Sequence, residues 1–584
     1  MVSILTWLLA GLVLYTLVAM FLRDRGLLPA SVKVSGPVTT IHTRRGRALL
    51  DWLARPRRFW RAWGNLGLGV AVVVMVGSFL MVAFSVAATL ERPEPTALTQ
   101  PQNALVIPGV NEFLPLAAAP YIVAGLVIGL VVHEGGHGLM CRVGDIDIES
   151  MGLVFLTVVP MGAFVEPDEE SQRAADRGPT TRMFAAGVTN NFAVALLGFL
   201  LLFGPVAGSL AVVQGAHVSG TLSGGPAATA GIQPGDVITA VDGSPVGSDD
   251  ALGPALADAT GPVTEVTLQE GGTVDVRRTL VVEEAPPDSP VPLNSTVTAV
   301  NGTAVYTEAG LLAAIADREV ARLSTSAGTV TLPMGALALV TPGGPLSTQG
   351  PPANASVVLT RIDGERVRSR AELADVLDAT RGGETVAVVA YRNGTRETYE
   401  VTLGTAEDGT GLLGVRLPAG TTGLGFDDFG AKLYPADYIL GALAGAGDGG
   451  LAAVGFLRRV LIALLLPFLG AATGAGVNFA GFIGVSTNFF TAAGPLAFLG
   501  TGGVFALANL LFWTAWVNLV IGQFNCVPMF PLDGGHILRT STEAIVARLP
   551  VSNRQALTKV VTVTVGLSMI GGLLFVIFGP QLLS

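Results

Sequence analysis

The sequence predicts a polytopic α-helical membrane protein that carries one soluble insert of mixed α/β structure. Half of the 584 residues are hydrophobic and only 13% are charged, a composition typical of chains with several membrane spans. Several uncharged apolar runs are long enough to cross a bilayer as helices. Between them, residues 214–430 change to charged, glycine- and threonine-rich sequence with repeated strand and turn patterns.

The acidity of the chain is concentrated in this insert. Residues 214–430 hold 26 acidic and 12 basic side chains, a net charge of −14, whereas the whole chain has −10. The remaining sequence therefore carries +4, and short basic segments between apolar runs indicate cytoplasmic loops. No nucleic-acid partner is expected. Two cysteines are too few for a disulfide framework.

Residues 1–113 are predicted to hold two spans around a basic loop. Residues 2–22 form an uncharged apolar run without a small-residue cleavage site after it, which favours a retained helix over a signal peptide. Residues 23–65 carry ten basic and two acidic side chains, which places this loop in the cytoplasm and the N-terminus outside. A second run, residues 66–90, leads back out to a proline-rich loop over residues 91–111.

The organising motif lies on the third apolar run, residues 114–142. His133 and His137 are four residues apart, so on a helix they present two imidazoles to one point, with Glu134 beside them. In this spacing two imidazoles bind Zn²⁺, an open position holds a water, and the glutamate accepts its proton. The pattern can arise by chance in a soluble helix. Ionisable groups are costly at membrane depth, so three within five residues indicate a buried functional site.

The segment after the motif helix, residues 152–165, is predicted to be a short β-hairpin. Its residues are β-branched or aromatic, and Pro160 and Gly162 exclude a continuous helix. Such backbone is tolerated at membrane depth where it lines a protein cavity. A charged cytoplasmic loop and a further span, residues 183–213, follow. That span contains Asn191, which is expected either to join helices by hydrogen bonds or to lie near the reaction centre.

Three stretches of the insert resemble one another. Val-Asp-Gly ends at Gly243, Val-Asn-Gly at Gly302 and Ile-Asp-Gly at Gly364, so the glycines are 59 and 62 residues apart and indicate repeated modules. The first repeat follows Gly-Gly-Pro-Ala-Ala at 224–228 and Gln-Pro-Gly-Asp at 233–236, a combination that resembles bacterial-type PDZ domains. Two PDZ-like domains and a third, degenerate unit are expected. The resemblance implies a peptide or protein ligand bound as an added strand, and a structural cap or size filter is the alternative.

Residues 431–584 are predicted to hold the remaining membrane segments. Residues 431–502 fit re-entrant or amphipathic segments as well as they fit a spanning pair. Residues 503–530 form a clear span, after which Asp533 stands alone in an Asn-x-x-Pro-x-x-x-Leu-Asp-Gly sequence. Basic residues follow, so this end is expected in the cytoplasm, and a last span over residues 560–580 returns outside.

Two histidines need a third protein ligand, and Asp533 is the best candidate. Its oxygen suits zinc, and the derived topology brings both motifs towards the inner leaflet. A helix cap or a turn before the two following glycines is the alternative role. Cys141 continues the histidine stripe by one turn and His536 follows Asp533 by three residues. Each is a rival ligand, although packing or a loop position explains either more simply.

Four motifs together resemble the site-2 protease family of intramembrane zinc metalloproteases. They are His-Glu-Gly-Gly-His at 133–137, Gly-Ala-Phe-Val at 162–165, Ala-Gly-x-x-x-Asn-Phe at 186–192 and Asn-x-x-Pro-x-x-x-Leu-Asp-Gly at 525–534, in that order. The resemblance covers residues of about 115–215 and 480–584, and the PDZ-like insert also resembles that family. It implies that His133, His137 and Asp533 bind Zn²⁺ and that Glu134 activates the water.

The same resemblance gives expectations for further residues. Asn191, Asn525 and Pro528 match residues at the family's reaction centre, where an amide is suited to steady an oxyanion or the substrate backbone. The hairpin with Pro160 and Gly162 matches the segment that pairs with unwound substrate, because strand addition satisfies the freed backbone groups.

The expected function is a zinc endopeptidase that cleaves transmembrane segments of single-span membrane proteins, in regulated intramembrane proteolysis or remnant clearance. The expected domains are N-terminal membrane segments with a basic loop (1–113), a first catalytic membrane half (114–213), extracytoplasmic PDZ-like repeats (214–430) and a second catalytic half with the last span (431–584). The protein is expected in the lipid bilayer of the cell membrane, with its active site near the cytoplasmic leaflet. The alternative is a membrane-anchored PDZ scaffold or quality-control protein with a vestigial metal site.

Overall fold

The structure is a computed structural model that divides into two compact units. A membrane unit comprises Met1–Ala211 and Asp437–Ser584, and the insert comprises Val212–Ala436. The residues described are 4–29, 31–43, 45–91, 107–111, 113–157, 159–259, 261–445, 452–470 and 477–583. Most of the predicted proline-rich loop, residues 91–111, lies outside them.

The helices and the strands of the described residues are each numbered in chain order. The helices are α1 (Ile4–Asp24), α2 (Arg45–Leu53), α3 (Arg57–Glu91), α4 (Ala119–Val143), α5 (Glu169–Ala174), α6 (Arg177–Leu201), α7 (Pro226–Thr229), α8 (Asp249–Asp258), α9 (Glu308–Ala314), α10 (Pro345–Gln349), α11 (Arg370–Asp378), α12 (Ala436–Ala444), α13 (Ala452–Leu465), α14 (Gly500–Asn525), α15 (Asp533–Val546) and α16 (Arg554–Leu583). The strands of the membrane unit and the first repeat are β1 (Val32–Ser35), β2 (Val38–His42), β3 (Ile148–Leu156), β4 (Val159–Pro167), β5 (Leu210–Val212), β6 (Ala216–Thr221), β7 (Val237–Val241), β8 (Ser244–Pro245), β9 (Val263–Leu268) and β10 (Gly272–Arg277). Those that follow are β11 (Leu280–Glu284), β12 (Thr296–Val300), β13 (Thr303–Ala304), β14 (Val320–Thr325), β15 (Gly328–Pro333), β16 (Ala336–Val340), β17 (Ser356–Ile362), β18 (Glu365–Arg366), β19 (Thr385–Arg392), β20 (Thr395–Thr402), β21 (Gly404–Thr405), β22 (Gly411–Leu412), β23 (Val415–Arg416), β24 (Gly425–Asp427), β25 (Ala431–Leu433) and β26 (Phe490–Ala492).

Five helical segments of the described chain are long and apolar enough to cross a membrane. They are Arg57–Glu91, Leu116–Val143, Arg177–Ser209, Gly494–Asn525 and Arg554–Leu583. These segments correspond to five of the predicted spans, and most extend by several residues into polar flanking sequence. The described part of the first predicted span, residues 4–22, lies in α1. Helix boundaries reach beyond the apolar runs because backbone hydrogen bonding continues through the charged residues at their ends.

For the region before α14, the sequence left two interpretations open: re-entrant or amphipathic segments, and a pair of spans. Helices α12 and α13 contain nine and 14 residues, respectively. At about 1.5 Å per residue, even α13 is roughly 21 Å long, which is shorter than the roughly 30 Å hydrocarbon core of a bilayer. Neither α12 nor α13 alone is therefore long enough to cross the hydrocarbon core.

The centre of the membrane unit is built from α4, α6 and α14. Glycines of α4 allow its backbone to approach both partners closely. A Cβ added at Gly125 would lie 2.8 Å from the carbonyl oxygen of Trp513 in α14. A Cβ at Gly136 would lie 2.8 Å from the carbonyl oxygen of Ala186 in α6. Small residues of this kind hold membrane helices together by close van der Waals packing.

The predicted hairpin is present as β3 and β4, and it is longer than expected. It also belongs to a sheet with the order β1-β2-β3-β4, because a second hairpin from the basic loop pairs with it. His42 lies opposite Gly152, where an added Cβ would come within 2.1 Å of the carbonyl oxygen of Ile41. Glycine is therefore required for this pairing. Strand β4 is the outer strand of the sheet within the described chain.

The insert contains three sheets with the same strand order. These are β10-β9-β7-β6-β25, β15-β14-β12-β11-β24 and β20-β19-β17-β16-β23. The expectation of a degenerate third unit is wrong, since the third sheet is complete. Buried apolar residues alternate along its strands, as at Val386, Val388 and Ala390 of β19. This alternation specifies a sheet. Gly-Gly-Pro at 343–345 leads into α10, as Gly-Gly-Pro at 224–226 leads into α7 in the first repeat.

The three repeated Asp/Asn-Gly sequences are hairpin turns. Asp242, Asn301 and Asp363 have φ values of 47°, 53° and 47°, and each is followed by a glycine with positive φ. Two successive residues with positive φ are the requirement of a two-residue type I′ turn. The similarity noticed in the sequence is therefore one turn repeated three times.

The last strand of each sheet comes from the end of the insert. After the third repeat, β23 completes the third sheet, β24 the second and β25 the first.

Ion pairs also join neighbouring repeats. Arg278, only 2% exposed, pairs with Asp428, whose other oxygen accepts a hydrogen bond from the backbone N–H of Glu308 in the next repeat. Between the second and third repeats, hydrogen bonding from Arg396 and Arg361 lowers the pKa of Glu319 to about 2 against the opposing effect of burial. The repeats are thus interlocked as one folding unit.

Candidate metal centre

Helix α4 presents both motif histidines to one buried point. His133 and His137 have ring centroids 4.7 Å apart with an interplanar angle of 83°. Their side chains are only 7% and 12% exposed. The i, i+4 spacing of an α-helix produces this arrangement, as the sequence predicts.

Asp533 joins the two imidazoles from the far half of the chain. It is the first residue of α15, and its Oδ2 lies 3.1 Å from Nε2 of His133 and 3.3 Å from Nε2 of His137. Glycines at the next two positions allow the preceding turn to pack closely against the start of α15. A Cβ at Gly534 would lie 2.4 Å from the carbonyl oxygen of Val527, and one at Gly535 would lie 2.7 Å from the backbone of Met529. The turn before α15 therefore folds back onto its first residues.

The three side chains fit a zinc ion. One ligand atom from each lies within 4.8 Å of the others, and this group contains no fourth residue among those described. Oδ2 of Asp533 is buried and makes no hydrogen bond within the described chain, although it faces both Nε2 atoms. Ligands about 2.0–2.2 Å from a tetrahedral zinc lie roughly 3.3–3.6 Å from one another, close to the distances found here. Two imidazoles with one carboxylate are also a known zinc donor set.

A carbonyl group of α6 fixes the orientation of His137. Nδ1 of His137 lies 2.8 Å from the carbonyl oxygen of Met183 in α6, so it donates its proton there and leaves Nε2 free to bind a metal. For Asp533, burial opposes ionisation, but the two nearby imidazoles outweigh burial and lower its pKa.

Glu134 connects the metal centre to the sheet. Its Oε2 accepts a hydrogen bond of 3.0 Å from the backbone N–H of Val165 in β4. The glutamate thus lies between two histidines and the outer strand of the sheet. This link is not evident from the sequence, because it depends on how β4 lies along α4.

Gly187 is a structural requirement that the sequence analysis did not recognise. A Cβ at this position of α6 would lie 2.7 Å from Nε2 of His137 and 2.8 Å from Cε1 of His133. Its place in the Ala-Gly-x-x-x-Asn motif, one helical turn before Asn191, was the available signal. The glycine lets α6 approach the two imidazoles.

The adjacent asparagines of α6 have different surroundings. Asn190 joins helices: its Oδ1 accepts from the indole N–H of Trp63 at 2.9 Å, and its Nδ2 donates to the carbonyl of Val132 at 3.4 Å. Asn191 is fully buried, and both polar atoms of its amide lack a hydrogen-bond partner within the described chain. An unsatisfied buried amide costs stability unless a ligand uses it.

The two rival ligands lie outside the metal-binding group. Cys141 is fully buried with its Sγ 3.3 Å from Sδ of Met183. His536 lies on α15, where it stacks on Phe184 at 4.2 Å and meets Phe530 edge-on. Both residues therefore pack against apolar or sulfur-containing neighbours.

The remaining candidate residues are not brought to the three ligands by any described contact. Asn525 ends α14 and donates to the carbonyl of Ile521. Pro528 is buried in the turn before α15. Pro160 is exposed on β4, and Gly162 packs against α4, where a Cβ would lie 2.5 Å from Cβ of Leu130. Gly162 thus sets the distance between β4 and α4.

Comparison with known proteins decides the family. The model of one family, described as peptidase family M50, matches residues 121–570, which is more than half of the chain and includes all four motif residues. The chain belongs to peptidase family M50, the site-2 protease family. The resemblance found in the sequence is thereby confirmed. M50 peptidases are metalloproteases and in general zinc-dependent, and the five apolar helices make this member a multi-pass membrane protein.

Two relatives illustrate how far the similarity extends. A membrane-bound transcription factor site-2 protease homolog of Arabidopsis thaliana is 28% identical over 197 residues, which cover 31% of this M50 chain and 35% of the relative. An uncharacterized protein of Methanocaldococcus jannaschii is 27% identical over 169 residues, which cover 28% of this chain and 42% of the relative. The chain thus spans less than half of the length of either relative.

Proposed function

We propose that this M50 protein is a zinc-dependent intramembrane endopeptidase that cleaves transmembrane segments of single-span membrane proteins. The observation that carries the proposal is the convergence of His133, His137 and Asp533, since Asp533 follows His133 by 400 residues. Glu134 adjoins this centre and contacts the outer strand of a sheet. A scaffold would need neither the orphaned carboxylate oxygen nor the glycines that bring the ligands together.

In the proposed reaction each group has a defined part. Zinc bound by the three side chains would supply a water of lowered pKa and polarise the substrate carbonyl. Glu134 accepts the proton of that water and returns it to the leaving amine. The hydrogen bond from Val165 keeps the carboxylate of Glu134 in place between turnovers.

Strand β4 is the proposed site of substrate pairing. A transmembrane helix must unwind before its peptide bonds become accessible, and its freed N–H and C=O groups then need partners inside the membrane. The outer edge of β4, which includes Pro160 and Gly162, offers such partners by strand addition. Because Glu134 is bonded to Val165 of this strand, a paired substrate would run past the base.

Asn191 is proposed to contact the reacting carbonyl or the substrate backbone. Its buried, unsatisfied amide lies one helical turn beyond Gly187, which faces both imidazoles. A preorganised donor of this kind stabilises developing negative charge in a site without bulk water. Asn525 and Pro528 are assigned a supporting role in positioning Asp533.

The insert is proposed to consist of PDZ-like modules outside the cytoplasm. Its repeated sheets with short final strands would receive a peptide or protein ligand as an added strand, in agreement with a role in regulated proteolysis or remnant clearance. Such modules would select or time the cutting of substrates rather than perform it.

Cleavage by the purified full-length chain tests the proposal. Incubation with a single-span model protein should give fragments cut within the span, and a zinc chelator should reduce cleavage to background because the water loses its activating metal. Added Zn²⁺, but not Mg²⁺, should restore cleavage. Mass spectrometry of the fragments locates the cut. Cleavage that continues after chelation, or zinc-loaded protein that cuts no span, would favour the scaffold alternative.

The orientation can be tested by cysteine labelling in intact cells. Both native cysteines are buried, so they provide a low background. A cysteine in place of exposed Ser244 in the insert should react with an impermeant thiol reagent, whereas one in place of exposed Glu170 should react only after permeabilisation. The opposite result would invert the proposed orientation and move the metal centre to the outer leaflet.

A further inference from the structure

A cationic cavity opens beside the first turns of α16, where it is lined by the part of α15 from Arg539 onward and by Phe530 in the turn before that helix. Its volume is about 710 Å³, and it lies where α6, α15 and α16 meet. Four basic side chains line it, namely Arg177, Arg539, Arg554 and Lys559, together with one carboxylate, that of Glu543. The cavity therefore carries a net positive charge.

The single carboxylate leaves part of this charge unneutralised. Glu543 lies 3.1 Å from Nε of Arg539 and 3.9 Å from Nε of Arg177. In the part of the chain that the structure describes, no ion pair involves Arg554 or Lys559. The cavity thus offers two cations without an acidic partner, beside two that share one carboxylate.

The cavity is amphipathic along its length. Its lining on α16 runs from Arg554 to Val563, a distance of about 14 Å along the helix axis, and its apolar wall includes Val546, Phe530 and Val563. Further along α16, Leu567 is 64% exposed, as expected of a residue that faces acyl chains. The basic side chains thus lie at the end of an apolar span, and the apolar wall of the cavity continues along that span.

We infer that this cavity binds the phosphate headgroup of an anionic phospholipid, with the first part of an acyl chain against Val563 and Phe530. Guanidinium groups bind phosphate oxygens in bidentate fashion, and Lys559 would add a point charge. Basic pockets at the ends of membrane helices suit anionic lipid headgroups. A free phosphate ion shares the headgroup chemistry but would make no use of the apolar wall, which is why the lipid is favoured.

The cavity is connected to the metal centre through α15. This helix begins at Asp533 and supplies Arg539, Glu543 and Val546 to the cavity. Phe530 of the lining also meets His536 edge-on at 4.9 Å. A bound headgroup would therefore restrain the helix that carries a metal ligand. The binding itself does not depend on the proposed protease activity.

Native mass spectrometry of the full-length protein provides the test. Phosphatidylglycerol and phosphatidylcholine are added at equal concentrations, and the fraction of protein that retains each lipid is measured. The neutral variant is Arg539→Gln, Arg554→Gln and Lys559→Gln. It should lose at least about tenfold in apparent affinity for phosphatidylglycerol, since each basic side chain near an anionic lipid contributes about fivefold.

Two matched variants serve as controls. Arg58→Gln, Arg61→Gln and Arg548→Gln removes the same number of charges outside the cavity and should keep wild-type affinity. Arg539→Lys, Arg554→Lys and Lys559→Arg keeps the charge and should bind within severalfold of wild type, which separates loss of charge from misfolding. Inorganic phosphate at millimolar concentration should not displace the lipid.

Three results would overturn the inference. They are unchanged lipid retention in the neutral variant, an equal loss in the outside-charge control, and displacement of phosphatidylglycerol by inorganic phosphate alone. The last would identify the cavity as a site for free phosphate. Because lipid retention is measured without a substrate, failure of this inference and failure of the protease proposal are distinguishable.

Discussion

Replacing Glu134 by glutamine is expected to lower the rate of cleavage by about 10²–10⁴-fold while metal content stays at the wild-type level. The amide cannot accept a proton from water, so general-base catalysis is lost. Its oxygen still accepts a hydrogen bond, so the contact with Val165 that holds β4 is retained. The three ligands are untouched. The substitution therefore removes the proton transfer without removing the site.

Single-turnover cleavage of a model span, with zinc measured in the same preparation, checks this expectation. Glu170→Gln is a matched control, because Glu170 is an exposed glutamate of α5, outside both β4 and the metal centre. That variant should cleave at the wild-type rate. If Glu134→Gln also cleaved at the wild-type rate, Glu134 would only position β4, and the base would have to be another group.

The second large effect is expected at Gly187. An alanine there would place its Cβ 2.7 Å from Nε2 of His137 and 2.8 Å from Cε1 of His133, closer than non-bonded atoms allow. The imidazoles or α6 must shift, and loss of ligand orientation typically costs about 10–100-fold in metal affinity or activity. Cleavage and zinc affinity should fall together.

Gly135→Ala is the matched control for this substitution. Gly135 is also helical and lies inside the motif, but an added Cβ there meets nothing within 4 Å. Alanine is also the better helix former. Zinc titration of both variants decides the matter: equal affinities would show that the close approach of α6 does not constrain the ligands.

Much of the site was predictable because it depends on local geometry. The i, i+4 relation of His133 and His137 follows from helix periodicity, and ionisable groups in an apolar run signal function. The choice of Asp533 needed the topology and the resemblance as well. Two alternatives that spacing left open, Cys141 and His536, are set aside only by the three-dimensional contacts of their side chains.

Other features required tertiary information. The pairing of β2 with β3 joins residues about 110 positions apart, and it depends on Gly152, whose role appears only beside Ile41. The signal for β1 and β2 was nevertheless present, as β-branched residues around Gly36, which has a φ of 61°. The basic composition of the loop obscured it.

In the insert too, local turns could be predicted from the sequence, whereas pairing between distant strands could not. The Asp/Asn-Gly turns were visible because two residues with positive φ demand those residue types. The strands β23, β24 and β25, by contrast, are two to three residues long and pair with β16, β11 and β6, which lie about 75 or more residues earlier in the chain. Strands this short carry no periodicity, so their pairing could not be inferred.

Zinc stoichiometry of ligand variants tests the central claim most directly. Wild-type protein should hold about one zinc per chain, and Asp533→Ala should retain far less because two imidazoles alone form an incomplete site. His536→Ala and Cys141→Ser, which remove the rival ligands, should both retain about one zinc. Full zinc in Asp533→Ala, or loss of zinc in His536→Ala, would contradict the assignment of His133, His137 and Asp533 as the metal centre.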